Sequence, residues 1–194
     1  MKRRFPEKRP SVEVLEAELR RENYRKRYRS VLRNTIYTLI TVAAAAVLIA
    51  TLLLPVLQIT GTSMAPNLLE GDIVVSMNGS KYKPGDVIAF YFDNKVLVKR
   101  VIATAGQWVD IDENGTVYLD GEVLEEPYLQ EKALGQCNIE LPYQVPESRI
   151  FVMGDHRSVS LDSRNTAVGC VSDEQIVGRL IFRIWPWEGI GPVG

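Results

Sequence analysis

An uncharged stretch of 22 residues, from Ile36 to Leu57, constrains this 194-residue chain more than any other feature. At about 1.5 Å per residue, a helix of this length crosses the roughly 30 Å hydrocarbon core of a bilayer. Its nearest flanking charges are Arg33 and Glu70. The alternative is a cleaved secretory signal, whose apolar core is shorter, about 7 to 15 residues, and follows a short basic head. We therefore predict one transmembrane helix over residues 36–57.

Charge is distributed unevenly on the two sides of this stretch. Residues 1–35 contain 12 Lys/Arg and 5 Asp/Glu, a net charge of +7, whereas residues 36–194 contain 11 and 19, a net charge of -8. The positive-inside rule places the basic segment in the cytoplasm, where it suits anionic lipid, and residues 58–194 outside. Nucleic-acid binding is disfavoured, because a phosphate backbone needs a basic patch that the acidic domain lacks. We expect a single-pass protein of the cell membrane.

The 137 residues from 58 to 194 are enough for one compact domain. Their apolar residues come in short runs separated by turn-forming residues, which predicts a mostly β ectodomain. The dipeptide Asn114-Gly115 tolerates the positive φ of a type I′ turn and indicates a hairpin. The predicted strands cover 72–77, 87–92, 96–103, the hairpin arms 108–112 and 116–120, 149–153 and 176–185.

Two residues suggest a reaction centre just outside the membrane. Ser63 follows the apolar stretch by six residues, and Lys99 lies in the strand-like run VLVKRVI between Leu97 and Val101, which share its face. A lysine with apolar neighbours loses the hydration of its ammonium form, so its pKa falls and it can act as a general base for a serine nucleophile. The alternative is a surface lysine on an edge strand, which the spacing alone favours, so other motifs must decide between them.

Four blocks in order carry a family resemblance: GTSMAPNLLEGD at 61–72, KPGDVIAF at 83–90, VLVKRVIATAGQ at 96–107 and VMGDHRSVSLDSR at 152–164. Together they resemble the bacterial type I signal peptidases. The resemblance covers the apolar stretch and nearly all of residues 58–194. It implies a β fold built around a Ser/Lys dyad, anchored by one transmembrane helix.

The resemblance also implies roles for individual residues. Ser63 would be the nucleophile and Lys99 its general base, while Met64 and Pro66 of the same block would contact substrate. Arg100 would turn away from the site and serve structure. Three residues of the last block would support the lysine: Ser160, whose hydroxyl orients it, and the charged pair Asp162 and Arg164.

Three positions depart from the common pattern of the family. Gly61 stands where some members carry a serine that helps to bind the oxyanion, so the chain resembles the Gram-positive-like branch, and the oxyanion must rely on main-chain N–H groups such as that of Ser63. Asn67 replaces a usual Thr, and His156 replaces a usual Asn. None of these changes removes a catalytic group.

The implied activity is an endopeptidase that cuts signal peptides from exported preproteins, with small residues such as Ala at positions -1 and -3. Strand addition would present the substrate in extended form. No cofactor or metal is expected, because His156 is the only histidine and no ligand cluster is evident. We expect a monomer whose partners are preproteins and membrane lipid.

Two other functions remain as alternatives. A self-cleaving Ser/Lys repressor protease would share the dyad, but its DNA-binding head is missing. An anchored binding or scaffold protein of the same fold would not need Ser63, Lys99 and Ser160, which are all present.

Two pairs of residues raise structural questions. Cys137 and Cys170 both lie on the oxidising side, which favours a disulfide, with two free thiols as the alternative. Trp185 and Trp187 could join Met64 and Leu68 in an apolar surface at the bilayer interface, with burial of both tryptophans in the core as the alternative.

Overall fold

The computed structural model describes residues 11–79 and 81–193, in two units that divide between residues 50 and 51. The first ten residues of the predicted cytoplasmic segment lie outside this description. The first unit is helical, and the second is built from β-strands. This arrangement confirms the predicted fold class.

The helical unit contains all but the last three residues of α1, Val12–Leu53, which is 42 residues long. Within the described residues, it is the one helix that is long and apolar enough to cross a membrane. α1 ends at Leu53, four residues before the predicted end of the span at Leu57. Pro55 explains the difference, because proline has no N–H to donate and disfavours helical backbone in the residue before it.

Two antiparallel sheets make up the described part of the second unit. The larger sheet contains β1 (Val56–Gln58), β2 (Ile73–Met77), β3 (Val87–Phe92), β4 (Lys95–Thr104), β9 (Arg149–Met153), β10 (Val171–Ser172), β11 (Ile176–Trp185) and β12 (Gly191–Pro192). The smaller contains β5 (Trp108–Ile111), β6 (Val117–Leu119), β7 (Glu122–Val123) and β8 (Tyr143–Gln144). Two 3-10 helices, Asp173–Gln175 and Trp187–Gly189, flank β11.

The strand order of the larger sheet is β1-β2-β11-β3-β4-β9-β10, with β12 beside β11. That of the smaller sheet is β7-β6-β5-β8. β4 pairs with β3 along residues 95–100, whereas β9 pairs with β4 only from Arg100 onward. The first half of β4 therefore has an open edge on the side away from β3.

The hairpin between β5 and β6 forms where the sequence predicted it, but the predicted type I′ turn is wrong. Such a turn needs positive φ at both central residues, whereas in this loop only Gly115 has it, at 81°. The carboxylate of Asp112 accepts hydrogen bonds from the N–H groups of Asn114 and Thr116, at 2.9 and 2.8 Å. These bonds stabilise a longer loop, with Gly115 in the last position of its turn.

The loop between β1 and β2 is held down by two apolar side chains. Met64 and Leu68 are each 2% exposed and pack with Val74 and Val87 of the larger sheet. Burying such a side chain contributes roughly 1.5 to 3 kcal/mol. This packing fixes the backbone that carries Ser63.

The same burial corrects the expected membrane-facing surface, because Met64 and Leu68 belong to the core. The tryptophans are not core residues: Trp185 is 46% exposed and Trp187 is 75% exposed. Their rings meet edge to face, with centroids 6.2 Å apart. The predicted exposure therefore holds for the pair Trp185 and Trp187 and fails for Met64 and Leu68.

The two cysteines are free thiols, so the expectation of a disulfide is not met. Cys170 is buried in the core between the two sheets, together with Ile102 and Phe151. Burial raises the pKa of its thiol to about 11. Cys137 lies elsewhere, in the segment before β8, and is partly exposed.

Candidate active site

The structure brings Ser63 and Lys99 into direct contact. Ser63 lies in the loop between β1 and β2, and Lys99 lies in the middle of β4. The lysine Nζ and the serine Oγ are 2.6 Å apart, and Nζ also donates a hydrogen bond to the carbonyl of Val98 at 3.0 Å. This is the contact that a serine nucleophile and its general base require.

Burial lowers the pKa of Lys99 into the range in which an amine can act as a base near neutral pH. Only 2% of the residue is exposed. Desolvation lowers the pKa of Lys99 to about 8, with a smaller lowering by Arg164, although the carboxylates of Asp162 and Asp155 act in the opposite direction. At neutral pH a usable fraction of the lysine is therefore neutral.

A groove of about 350 Å³ opens beside this pair. One wall is formed by residues 57–61 with Ser63 and Met64, and the other by residues 95–99 of β4. Most of the lining side chains are apolar. Of the two predicted substrate contacts, Met64 lines the groove, whereas Pro66 lines a separate cavity of about 190 Å³.

Arg100, the neighbour of Lys99, anchors a buried network. Its guanidinium binds both carboxylate oxygens of Asp155 and donates to the carbonyl of Gly85. Asn67 donates from one amide nitrogen to Asp155 at 2.8 Å and to the carbonyl of Tyr128 at 2.9 Å. The nucleophile loop and the strand of the base are thus tied to the same carboxylate.

The residue after Asp155 makes a second tie to this loop. The backbone N–H of His156 donates to the carbonyl of Ser63 at 3.0 Å, and its ring Nδ1 lies 3.3 Å from the carbonyl of Thr62. These contacts tie His156 to the backbone of the nucleophile loop.

A family model described as signal peptidase, peptidase S26, matches residues 32–185 of the chain.

The chain therefore belongs to this signal peptidase family. Signal peptidase I of Bacillus licheniformis is 33% identical over 78% of this chain and 88% of its own length. Signal peptidase IB of Staphylococcus aureus is 35% identical over 67% and 77%. Thylakoidal processing peptidase 1 of Arabidopsis thaliana is 34% identical over 66% of this chain, which spans only 41% of that protein. Membership of this family makes the chain a signal peptidase enzyme.

A solved signal peptidase I from Enterococcus faecalis V583 matches 52% of this chain and 97% of its own, with 29% identity and a TM-score of 0.43.

The resemblance predicts that the hydroxyl of Ser160 orients Lys99 in this signal peptidase. This hydroxyl is buried and is without a hydrogen-bond partner among residues 11–79 and 81–193, and the predicted bond to Lys99 is absent there. A Cβ on Gly154 would lie 2.6 Å from both the Ser160 Cβ and the Ser63 carbonyl. Glycine at this position therefore lets the two serines approach the same turn.

Asp162 and Arg164 form a fully buried ion pair with two hydrogen bonds of 2.9 Å. Asp162 also accepts the N–H of Gly154 at 2.9 Å. Arg164 donates to the carbonyl of Leu134 at 2.7 Å and to that of Arg157 at 2.9 Å. The pair therefore supports the turn that packs against Ser63.

Sequence reasoning missed Glu126 and Tyr128 as part of the site. Glu126 is 8% exposed and pairs with Arg157, and the hydroxyl of Tyr128 donates to its carboxylate at 2.9 Å. The Tyr128 ring covers the guanidinium of Arg100, 4.0 Å from centroid to Cζ. The sequence signal that could have found them was an acidic residue, Glu126, directly before Pro127.

Proposed function

We propose that this chain is a membrane-anchored serine endopeptidase that removes N-terminal signal peptides from exported preproteins. Ser63 is the nucleophile and Lys99 the general base. The observation that carries the proposal is the 2.6 Å separation of the lysine Nζ and the serine Oγ, at a lysine whose pKa burial lowers to about 8.

In the first half of the reaction, the neutral amine of Lys99 takes the proton of the Ser63 hydroxyl while the serine Oγ attacks the scissile carbonyl. The N–H of Ser63 donates to no other group in the described residues and is free to bind the oxyanion. The lysine ammonium then gives its proton to the leaving amine. An acyl-enzyme and the free N-terminus of the mature protein result.

In the second half, neutral Lys99 takes a proton from water, and the hydroxide so formed attacks the ester carbonyl of the acyl-enzyme. The tetrahedral intermediate collapses, the serine oxygen recovers a proton from the lysine ammonium, and the signal peptide leaves with a new carboxylate. All groups come from one chain, in keeping with the expected monomer.

The groove suits an extended substrate. Among the described residues, no strand pairs with residues 95–99 of β4 on the groove side, where an added strand could pair. A shallow channel with apolar walls accepts small side chains on alternate residues. We therefore retain the preference for Ala at -1 and -3.

Membrane anchoring by α1, with a cytoplasmic N-terminus, belongs to the same proposal. The net charge of +7 before residue 36 supports that orientation. The predicted division into a basic segment 1–35, a span 36–57 and a catalytic domain 58–194 follows from it. A supporting role of Ser160 stays a prediction, since a buried hydroxyl without a partner is costly unless substrate or water pairs with it.

The test is cleavage of a preprotein with Ala at -1 and -3 by the full chain in liposomes, with the cut located by mass. Ser63→Ala and Lys99→Ala should each lower kcat/KM by on the order of 10³-fold or more. The matched controls Ser158→Ala and Lys81→Ala change exposed residues of the same types and should cleave like wild type.

Cleavage that survives Ser63→Ala would refute the nucleophile. Absence of cleavage by the folded wild type would favour the anchored binding protein instead.

A further inference from the structure

The groove has a positively charged end. Among the described residues that line it, Lys95 and Lys99 carry the only side chains that can be charged at neutral pH, and none is a carboxylate. Lys95 is exposed at the start of β4 and forms no ion pair with any described residue. This is unusual in a part of the chain whose net charge is -8.

The backbone sets the register of an added strand. The carbonyl of Val98 points to the groove, since it accepts the bond from Lys99 Nζ. In a strand, residues two apart direct their backbone groups to the same side, so the N–H and C=O of Val96 also face the groove. A substrate can therefore pair with β4 at these two residues.

This register places one substrate position beside Lys95. The carbonyl of residue -1 must lie at Ser63, next to Lys99. From Lys99 back to Lys95 the strand spans four residues, or about 13 Å, and an extended substrate that runs parallel to β4 covers that distance in the same number of residues. Residue -5 of the signal peptide then lies at the Lys95 end of the groove.

We propose that Lys95 is a specificity-determining residue that reads the charge of the substrate at position -5, favouring Asp or Glu and disfavouring Lys or Arg. The inference rests on the proposed function. Lys95 does not touch the reacting atoms, so it acts on substrate binding and appears in KM. Because the side chain is exposed, the effect is a modest and salt-dependent electrostatic one.

The experiment uses three peptides that differ only at position -5, which is Glu, Gln or Lys, and that compete in one reaction with the full chain. For wild type, kcat/KM for the Glu peptide should exceed that for the Lys peptide by roughly fivefold. Lys95→Glu should reverse this order. Lys81→Glu, which makes the same charge change at an exposed lysine outside the groove, should keep the wild-type ratio.

Two further measurements accompany the ratio of kcat/KM between the Glu and Lys peptides. The preference should fall toward one in about 1 M salt, where the Debye length is about 3 Å. The Ser63→Ala variant should show the same order of affinities when fluorescent peptides are bound without cleavage.

A ratio that is identical in wild type and Lys95→Glu, with the Gln peptide cleaved normally by both, would overturn this inference and leave the proposed function standing. Failure of wild type to cleave any of the three peptides would overturn both.

Discussion

Arg100 and Asp155 form a buried ion pair in which the arginine Nε and Nη2 donate to the two carboxylate oxygens at 2.9 and 2.8 Å. The arginine follows Lys99 in sequence, and the aspartate precedes the residue that binds the Ser63 carbonyl. The pair therefore joins the strand of the base to the turn that holds the nucleophile. The Asp155 carboxylate of this pair also raises the pKa of Lys99.

Arg100→Gln should affect both stability and pH dependence. Breaking a buried pair leaves an uncompensated charge and typically costs about 3 to 5 kcal/mol of unfolding free energy. The pKa of Lys99 should rise because the Asp155 carboxylate loses its partner, and the acidic limb of the activity profile, where kcat/KM rises with pH, should move to higher pH. Urea denaturation and a pH series of kcat/KM measure the two effects.

The control for Arg100→Gln is Arg179→Gln. That arginine is 37% exposed and pairs with Asp86 at 3.3 Å, so its loss should cost at most about 1 kcal/mol. Adding Asp155→Asn to Arg100→Gln removes the uncompensated carboxylate and should return the acidic limb of the kcat/KM profile toward its wild-type pH. An Arg100→Gln enzyme with unchanged stability and pH profile would contradict the role assigned to the pair.

The pH profile of wild type should report the neutral form of Lys99. Its pKa is about 8, so kcat/KM should rise about tenfold per pH unit below pH 7 and level off above about pH 9. A peptide assay from pH 5.5 to 10 measures this. A profile that is flat between pH 6 and 9, or that rises only near the ordinary lysine pKa of 10.5, would contradict it.

The same titration affects stability. Between pH 8 and 10.5 the unfolded chain still binds the lysine proton while the folded chain has lost it, so this group makes the free energy of unfolding increase with pH in that window. Lys99→Met removes the titrating group and should remove this contribution. Denaturation of both proteins at pH 7.5 and 9.5 gives the comparison.

Gly154→Ala should damage catalysis more than folding. The new Cβ would lie 2.6 Å from the carbonyl of Ser63, which must move. Overpacking costs about 1 to 3 kcal/mol, whereas a nucleophile displaced by about 1 Å can lose on the order of 10²-fold in kcat. Gly191→Ala is the control, because no atom lies within 4 Å of its Cβ position and its φ is not positive. Equal activity of the two variants would contradict the predicted clash between the new Cβ at position 154 and the Ser63 carbonyl.

The exposed pair Trp185 and Trp187 should contact lipid. Of the three tryptophans of the chain, the third is Trp108 in the smaller sheet. In liposomes with lipids brominated near the headgroup, wild-type emission should be quenched, and Trp108→Phe should keep the quenching. Trp185→Phe combined with Trp187→Phe should abolish it. Strong quenching of Trp108 alone would place the lipid contact elsewhere.

Local patterns in the sequence determined much of this protein. The apolar stretch 36–57, the alternation of the strands and the motifs around Ser63 and Lys99 are all readable within a few residues, because periodicity and chain connectivity govern them. Even the early end of α1 at Leu53 has a local cause in Pro55.

Only the tertiary structure decided how the site works. The contacts from Asn67 to Tyr128 and from Arg100 to Asp155 join residues 61 and 55 positions apart, and no local pattern specifies them. Burial of Met64 and Cys170, exposure of Trp187 and the lowered pKa of Lys99 likewise depend on what packs around each side chain. A sequence motif can identify Lys99 as a candidate base, but desolvation by residues distant in sequence sets the pKa of its amine.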